Sequence, residues 1–208
     1  MHPMWLVLGL LLMTGLAVRV AVGRYRRLRM LCRLAAEHRF RFSGDDLIDI
    51  HDRYQNLEMI RQGHNRHVSN VLYGPTDAGL ATVFCYDYEL GFGSRRATRS
   101  WWIAVVETDR ARDHWWAVSA DDSIWTPGDT DSACSARVGG FEIHANHEAT
   151  LNELRRLGLD RMFQTAPSDC RWEIRGPLVA VAVPFRPDGE APAQVLSAAR
   201  TLSAALRA

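Results

Sequence analysis

The chain has 208 residues, 24% of them charged and 47% apolar, with a formal net charge of +1. Behind an N-terminal hydrophobic segment that leaves about one ordinary domain, and the composition excludes a disordered, collagen-like or multi-pass membrane chain. Residues 1–43 hold eight Arg against one acid, Glu37, whereas residues 44–208 hold 17 Arg against 23 Asp and Glu. A mildly acidic domain behind a basic neck is a poor electrostatic match for a phosphate backbone, so no nucleic-acid partner is expected.

Met4 to Val18 carries no charged residue. With Arg19 snorkelling, Met4–Gly23 spans 20 residues, enough at helical rise to cross a hydrocarbon core. The alternative is a cleaved signal peptide. Against it, Met1-His2-Pro3 has no basic residue, and no small-x-small site follows. Arg24, Arg26, Arg27, Arg29 and Arg33 lie downstream, and the positive-inside rule then puts the C-terminal part in the cytoplasm. The expected organisation is a transmembrane anchor over 1–23, a basic juxtamembrane helix over 24–38 and a soluble domain over 39–208. This describes a single-pass inner-membrane protein that meets the lipid bilayer through residues 4–23. In the neck, Leu28, Leu31, Cys32 and Ala35 follow a helical stripe, while the five arginines face the membrane surface. The arginines serve either as a lipid contact or as a plain topology signal.

Arg39-Phe40-Arg41-Phe42 alternates like a short strand, and Ser43-Gly44-Asp45-Asp46 offers helix-start chemistry before Leu47, Ile50 and Tyr54. Val68–Tyr73 and Leu80–Tyr88 read as a hairpin across the turn 74–79. In its second strand Leu80, Thr82, Phe84, Tyr86 and Tyr88 share one face, and Ala81, Val83, Cys85 and Asp87 the other. Gly91–Arg96 is a basic loop. Trp101–Glu107 and Trp115–Ser119 are two further strands, and 120–135, with Trp125, is a polar surface loop. Val138–His144 is a strand, and Asn146 caps a helix carrying Leu151, Leu154 and Leu157. A short helix follows over Leu159–Gln164. Arg171–Arg175 and Leu178–Pro184 form a hairpin around Gly176-Pro177. Val195, Leu196, Ala199, Leu202 and Leu206 stripe a terminal helix with Pro192 near its start. This order predicts an α+β fold, an N-terminal transmembrane helix followed by an antiparallel-sheet domain with packed helices.

On Leu34–Phe42, Asn70–Gly74, Val83–Tyr88, Phe141–His144 and Leu159–Phe163 the chain resembles a set of uncharacterised bacterial membrane-associated proteins. These have a hydrophobic anchor, a short basic helix and an α+β domain of unknown function. The resemblance implies that architecture and no activity.

Candidate chemistry is sparse. His64-x-x-His67 and His144-x-x-His147, with His51, supply metal-ligating residue types, but neither pair has a zincin pattern or a third ligand in register. They read as surface or capping histidines, and neither a metal nor another cofactor is expected. Cys32, Cys85, Cys134 and Cys170 are widely separated, without a C-x-x-C, and read as idle thiols. There is no nucleophile elbow or phosphate loop, and Asp45-Asp46 and Asp121-Asp122 fit capping and turn solvation. The aromatic pairs Trp101-Trp102 and Trp115-Trp116 stand out, since consecutive strand residues face opposite ways. The expected function is a membrane-anchored, non-catalytic binding or scaffold protein. It would recognise a protein partner through a sheet surface, with Tyr86, Tyr88, Trp102 or Trp116 as anchors. The alternative is a membrane-associated enzyme, a metal-dependent hydrolase with a His-lined pocket.

Overall fold

The computed structural model describes residues 3–120, 133–186 and 189–207. Helix α1 runs unbroken over Pro3–His38, 36 residues or ~54 Å at helical rise. It contains a stretch long and apolar enough to cross a membrane, none of it buried against the rest of the chain. Only its last turns join the core, through Leu31, Leu34 and Ala35. Half-buried Arg27, Met30 and His38 lie on the same stripe. Leu28 and Cys32, expected on that stripe, are instead exposed, because the packed face is centred one position away.

The helix ends in a Schellman-type cap. Arg39 takes a left-handed φ of 56°. Its N–H bonds the Ala36 carbonyl at 3.3 Å and the Phe40 N–H bonds that of Ala35 at 2.7 Å. Phe40 then packs over Gly74, where a Cβ would lie 2.5 Å from its ring. The cap reverses the chain into β1 (Arg41–Asp45), which runs back along α1.

A short connection follows in which Asp46 accepts the Ile50 N–H at 2.9 Å. It begins α2 (Ile50–Arg53), with α3 (Glu58–Arg61) soon after. Of the four residues read as a helix start, Ser43, Gly44 and Asp45 belong to β1, and Asp46 alone bonds the start of a single-turn helix. β2 (His64–Thr76) and β3 (Gly79–Leu90) make an antiparallel hairpin on a two-residue turn tighter than the sequence suggested. β3 leads through a single 3-10 turn, Gly93–Arg95, into β4 (Ala97–Ser119). β5 (Cys134–Val138) and β6 (Phe141–Ala145) form a second tight hairpin. Then come α4 (Glu148–Arg156), α5 (Leu159–Thr165), β7 (Arg171–Pro184) and α6 (Ala191–Ala205). His147, not Asn146, holds the N-cap position of α4. Residues 121–132, including Trp125, Asp121 and Asp122, lie outside the described residues.

The fold is α+β: one antiparallel sheet, ordered β1-β2-β3-β4-β6-β5, with β7 on the remaining side of β4. Two sequence expectations are corrected at its centre. The segments 101–107 and 115–119 are halves of one 23-residue strand, and 171–175 and 178–184 are halves of one strand, not a hairpin. Both interruptions sit at one level, since Arg112 pairs with Gly176 between the Glu107–Leu178 and Trp115–Ile174 pairs. The polar run 108–113 is the bulged side of a bend, and Pro177 sits where no ladder donor is required.

The hairpin faces are as the alternation predicted. Ala81, Val83 and Cys85 enter the core covered by α1, α4, α5 and α6. Phe84, Tyr86 and Tyr88 face the opposite cluster, covered by Ile50, Tyr54, Leu57, Met59 and Ile60. Helical cover on both faces explains how a chain this size buries so many large aromatics.

Candidate functional site

The elements give the sheet a direction. The C-terminal end of α1 reaches the β2–β3 turn, where His38 borders a shallow cavity with Asp77 and Ala78. Farther up the helix, the Arg27 guanidinium lies 4.5 Å over the Phe185 ring, just past the end of β7. Phe185 in turn stacks on Trp102 at 6.3 Å. β1, β3 and the second half of β7 therefore run toward the free half of α1. α6 lies beside α1 in the same sense as α1, its start near Met30 and Arg33 and its middle near His38.

Tyr86, Tyr88, Trp102 and Trp116 are all buried and present no surface to a partner. Tyr86 donates its hydroxyl to the Ile60 carbonyl. Tyr88 accepts from Arg171 at 3.4 Å, and Trp116 stacks on His144 at 3.8 Å. Tyr86 and Tyr88 lie on the face covered by α2, α3 and their connection, Trp102 lies in the opposite core with Leu31 of α1 and Val195 of α6, and Trp116 is buried with Val118. Exposed in their place are Phe92 and Leu47, on loops at the end that faces the free half of α1.

His51, His64 and His67 do share a groove of ~670 Å³ with Asp45, Asp46 and Arg66. Arg66 crosses it, donating to the Gly63 carbonyl at 3.1 Å and lying 3.4 Å from His51 Nε2. His64 stacks on Phe92 at 4.7 Å and lies 3.8 Å from Glu89. His144 and His147 are elsewhere, His144 being 3.2 Å from Glu142. Burial lowers the His144 pKa against the opposing pull of Glu142. Among the described residues no group of three or more His, Cys, Asp or Glu is placed to hold a metal ion. The two His-x-x-His pairs do not converge.

Sequence reasoning missed an apolar groove of ~580 Å³ between α5 and α6. Its floor is Cys170, Trp172 and Val183, with Met162 and Pro167 on one wall and Ala198 on the other. The volume and apolar character fit a small-molecule site. Trp172 is buried, and its Nε1–H has no hydrogen-bond partner among the described residues. Burial pushes the Cys170 thiol up to about 12, so it lines the groove as an unreactive apolar group. The available signal was the small-residue face of α6, Ala193, Ser197, Ala198 and Thr201, one step from the core stripe. Its short side chains leave the space beside α5 unfilled.

No protein-family model matches the sequence, and no curated protein matches it. Among solved structures, the fold is similar to the crystal structure of the mycobacterial trehalose monomycolate transport factor A, TtfA. The TM-score is 0.61 at 18% sequence identity, over 89% of this chain and 94% of that one. At that identity the likeness shows a shared fold and assigns no activity.

Proposed function

We propose that this chain is a single-pass membrane-anchored, non-catalytic binding protein that serves a lipid-transport system by holding a protein partner at the bilayer surface. In this reading residues 1–23 are the anchor, 24–38 the basic neck and 39–208 the binding domain, on the cytoplasmic side of the inner membrane. One observation carries it. The apolar length of α1 continues without a break into turns that pack in the domain core, so an anchor in lipid would fix the height and orientation of the sheet. The downstream arginines favour the cytoplasmic orientation. The lipid-transport setting is supported by a fold shared with a mycobacterial trehalose monomycolate transport factor.

The test is affinity purification from solubilised membranes, with the native chain and with residues 4–23 replaced by a poly-leucine span. A stoichiometric partner retained by both is the expected result. No partner with either would sink the proposal.

The groove between α5 and α6 favours a second reading, in which the domain itself shelters an acyl chain over Trp172. Extraction of the purified full-length protein should then release lipid in stoichiometric amount. Ala198→Trp, which fills the groove, should abolish that yield while leaving the partner bound; an unchanged yield would exclude the groove.

A further inference from the structure

The loop joining β3 to β4 extends beyond the rest of the sheet, toward the free half of α1. Phe185, under Arg27, donates its backbone N–H to Ser100, and Ser100 pairs with Asp87. Phe92 is five residues beyond Asp87 in the direction of the helix N-terminus. The strand itself ends at Leu90, three residues beyond Asp87, which at strand rise is about 10 Å, equivalent to roughly seven residues of α1. The loop therefore reaches about the level along the α1 axis at which Arg24 and Arg26 give way to the apolar run.

Its composition suits that level. Residues 91–99 are all exposed, and Phe92 is 81% exposed, more than any other large hydrophobic residue among those described. Arg95 and Arg99 flank it. The loop is braced from behind: Glu89 takes hydrogen bonds from Arg96 and from Asn65, the latter at 2.6 Å, and His64 stacks under the Phe92 ring. These bonds, Arg96 first, hold the Glu89 carboxyl below its ordinary pKa. An exposed apolar ring among arginines, at the level of the apolar run of α1, matches the boundary between anionic head groups and acyl chains.

We propose that the Gly91–Arg96 loop is a second membrane contact, inserting Phe92 into the leaflet that α1 leaves and setting Arg95 and Arg99 against anionic head groups. This rests on the anchor reading above. It adds that the domain touches the bilayer at two points, which stops it turning about the helix axis.

The experiment uses the full chain in vesicles of phosphatidylcholine and phosphatidylglycerol, with Cys32 and Cys134 changed to Ser so that single introduced cysteines carry an environment-sensitive dye. Three sites are compared: Phe92→Cys, Val18→Cys in α1, and Asp77→Cys at the opposite turn. Spin-labelled lipid should quench positions 92 and 18 several-fold more than position 77, and iodide in the water should do the reverse. Raising salt or removing phosphatidylglycerol should reduce quenching at 92 and leave 18 unchanged. Quenching at 18 without quenching at 92 would overturn the loop contact alone. Loss at both sites would overturn the anchor reading itself. Protection of 92 from iodide without lipid quenching would point to protein cover and equally overturn the proposal.

Discussion

Leu31→Ala tests whether α1 is one piece with the domain. Leu31 is fully buried, in the same cluster as Trp102, Val195 and Leu202. The substitution removes three carbon groups, a transfer loss of roughly 2.4 kcal/mol at about 0.8 each. The cavity between α1 and the sheet adds to that, since neither side can move far, for a total of about 3–4 kcal/mol. Leu28, one turn earlier on the same helix, is 45% exposed, and Leu28→Ala should cost about 0.5 kcal/mol or less. Urea unfolding of the full chain in micelles, followed by tryptophan emission, reads both, because Trp102, Trp115 and Trp172 are buried in that same core. Comparable small losses for the two variants would refute the reasoning: α1 would then be tethered to the sheet without being packed into it, and could not transmit an orientation.

Cys32 is exposed just beyond the proposed span, whereas Cys85 and Cys170 are buried, so in a Cys134→Ser variant a membrane-impermeant maleimide should label Cys32 from the cytoplasmic side only. Labelling of intact cells would reverse the proposed orientation. Burial pushes the thiols of Cys85 and Cys170 up to about 12 from an ordinary 9.0. Between those values the unfolded chain loses these protons first, so stability is complete below pH 9 and falls as pH rises toward 12. Each thiol should cost about 1.4 kcal/mol by pH 10, and a double Cys→Ser variant that keeps the same alkaline slope would contradict this. Gly79→Ala should prevent folding of the β2–β3 hairpin, as the new Cβ would lie 1.8 Å from the Glu107 carbonyl; a soluble variant with native circular dichroism would say otherwise. Glu173, buried in β7, accepts the Glu58 and Met59 N–H groups at 2.7 and 3.0 Å. Glu173→Ala leaves two buried donors unpaired and should cost about 2–5 kcal/mol in urea unfolding, with Glu173→Gln costing less.

Much of the architecture was legible because it depends on local periodicity. The apolar run, the terminal helix stripe and the two-residue alternation of β3 all fell where the structure has them. What failed depended on pairing across the chain. Residues 108–113 looked like a break and Gly176-Pro177 like a turn, yet they face each other across one bend, and no reading of either alone reveals that. The tryptophans failed for a related reason. Alternation told which face each occupies, but whether that face is bare depends on distant elements: Trp102 packs in the core with Leu31 of α1 and Val195 of α6, and Trp101 in the one with Ile50 and Tyr54. The groove was least legible, because it is a space left between α5 and α6, and its only trace was smallness in a few α6 residues.

The continuity of α1 gives the remaining surface its meaning. A domain on a flexible linker samples every orientation, so none of its faces is singled out by attachment to a membrane. Here the helix is locked by the Arg39 cap and by Leu31, Leu34 and Ala35, and β1, β3 and the end of β7 all run back along it. On the proposed reading the bilayer therefore meets one end of the sheet. That end carries Phe92, Leu47, the arginine-bearing loop and the His51–His64–His67 groove. The groove over Trp172 is displaced around α6, whose first turn lies beside Met30 and Arg33 of the neck. Along the neck away from the span, Phe185 at Arg27 comes first and the start of α6, at Met30 and Arg33, comes next. The Ala198→Trp plug and the Phe92 depth measurement therefore probe two separate places on opposite faces of the sheet, the first testing the groove over Trp172 and the second the bilayer contact beside His64.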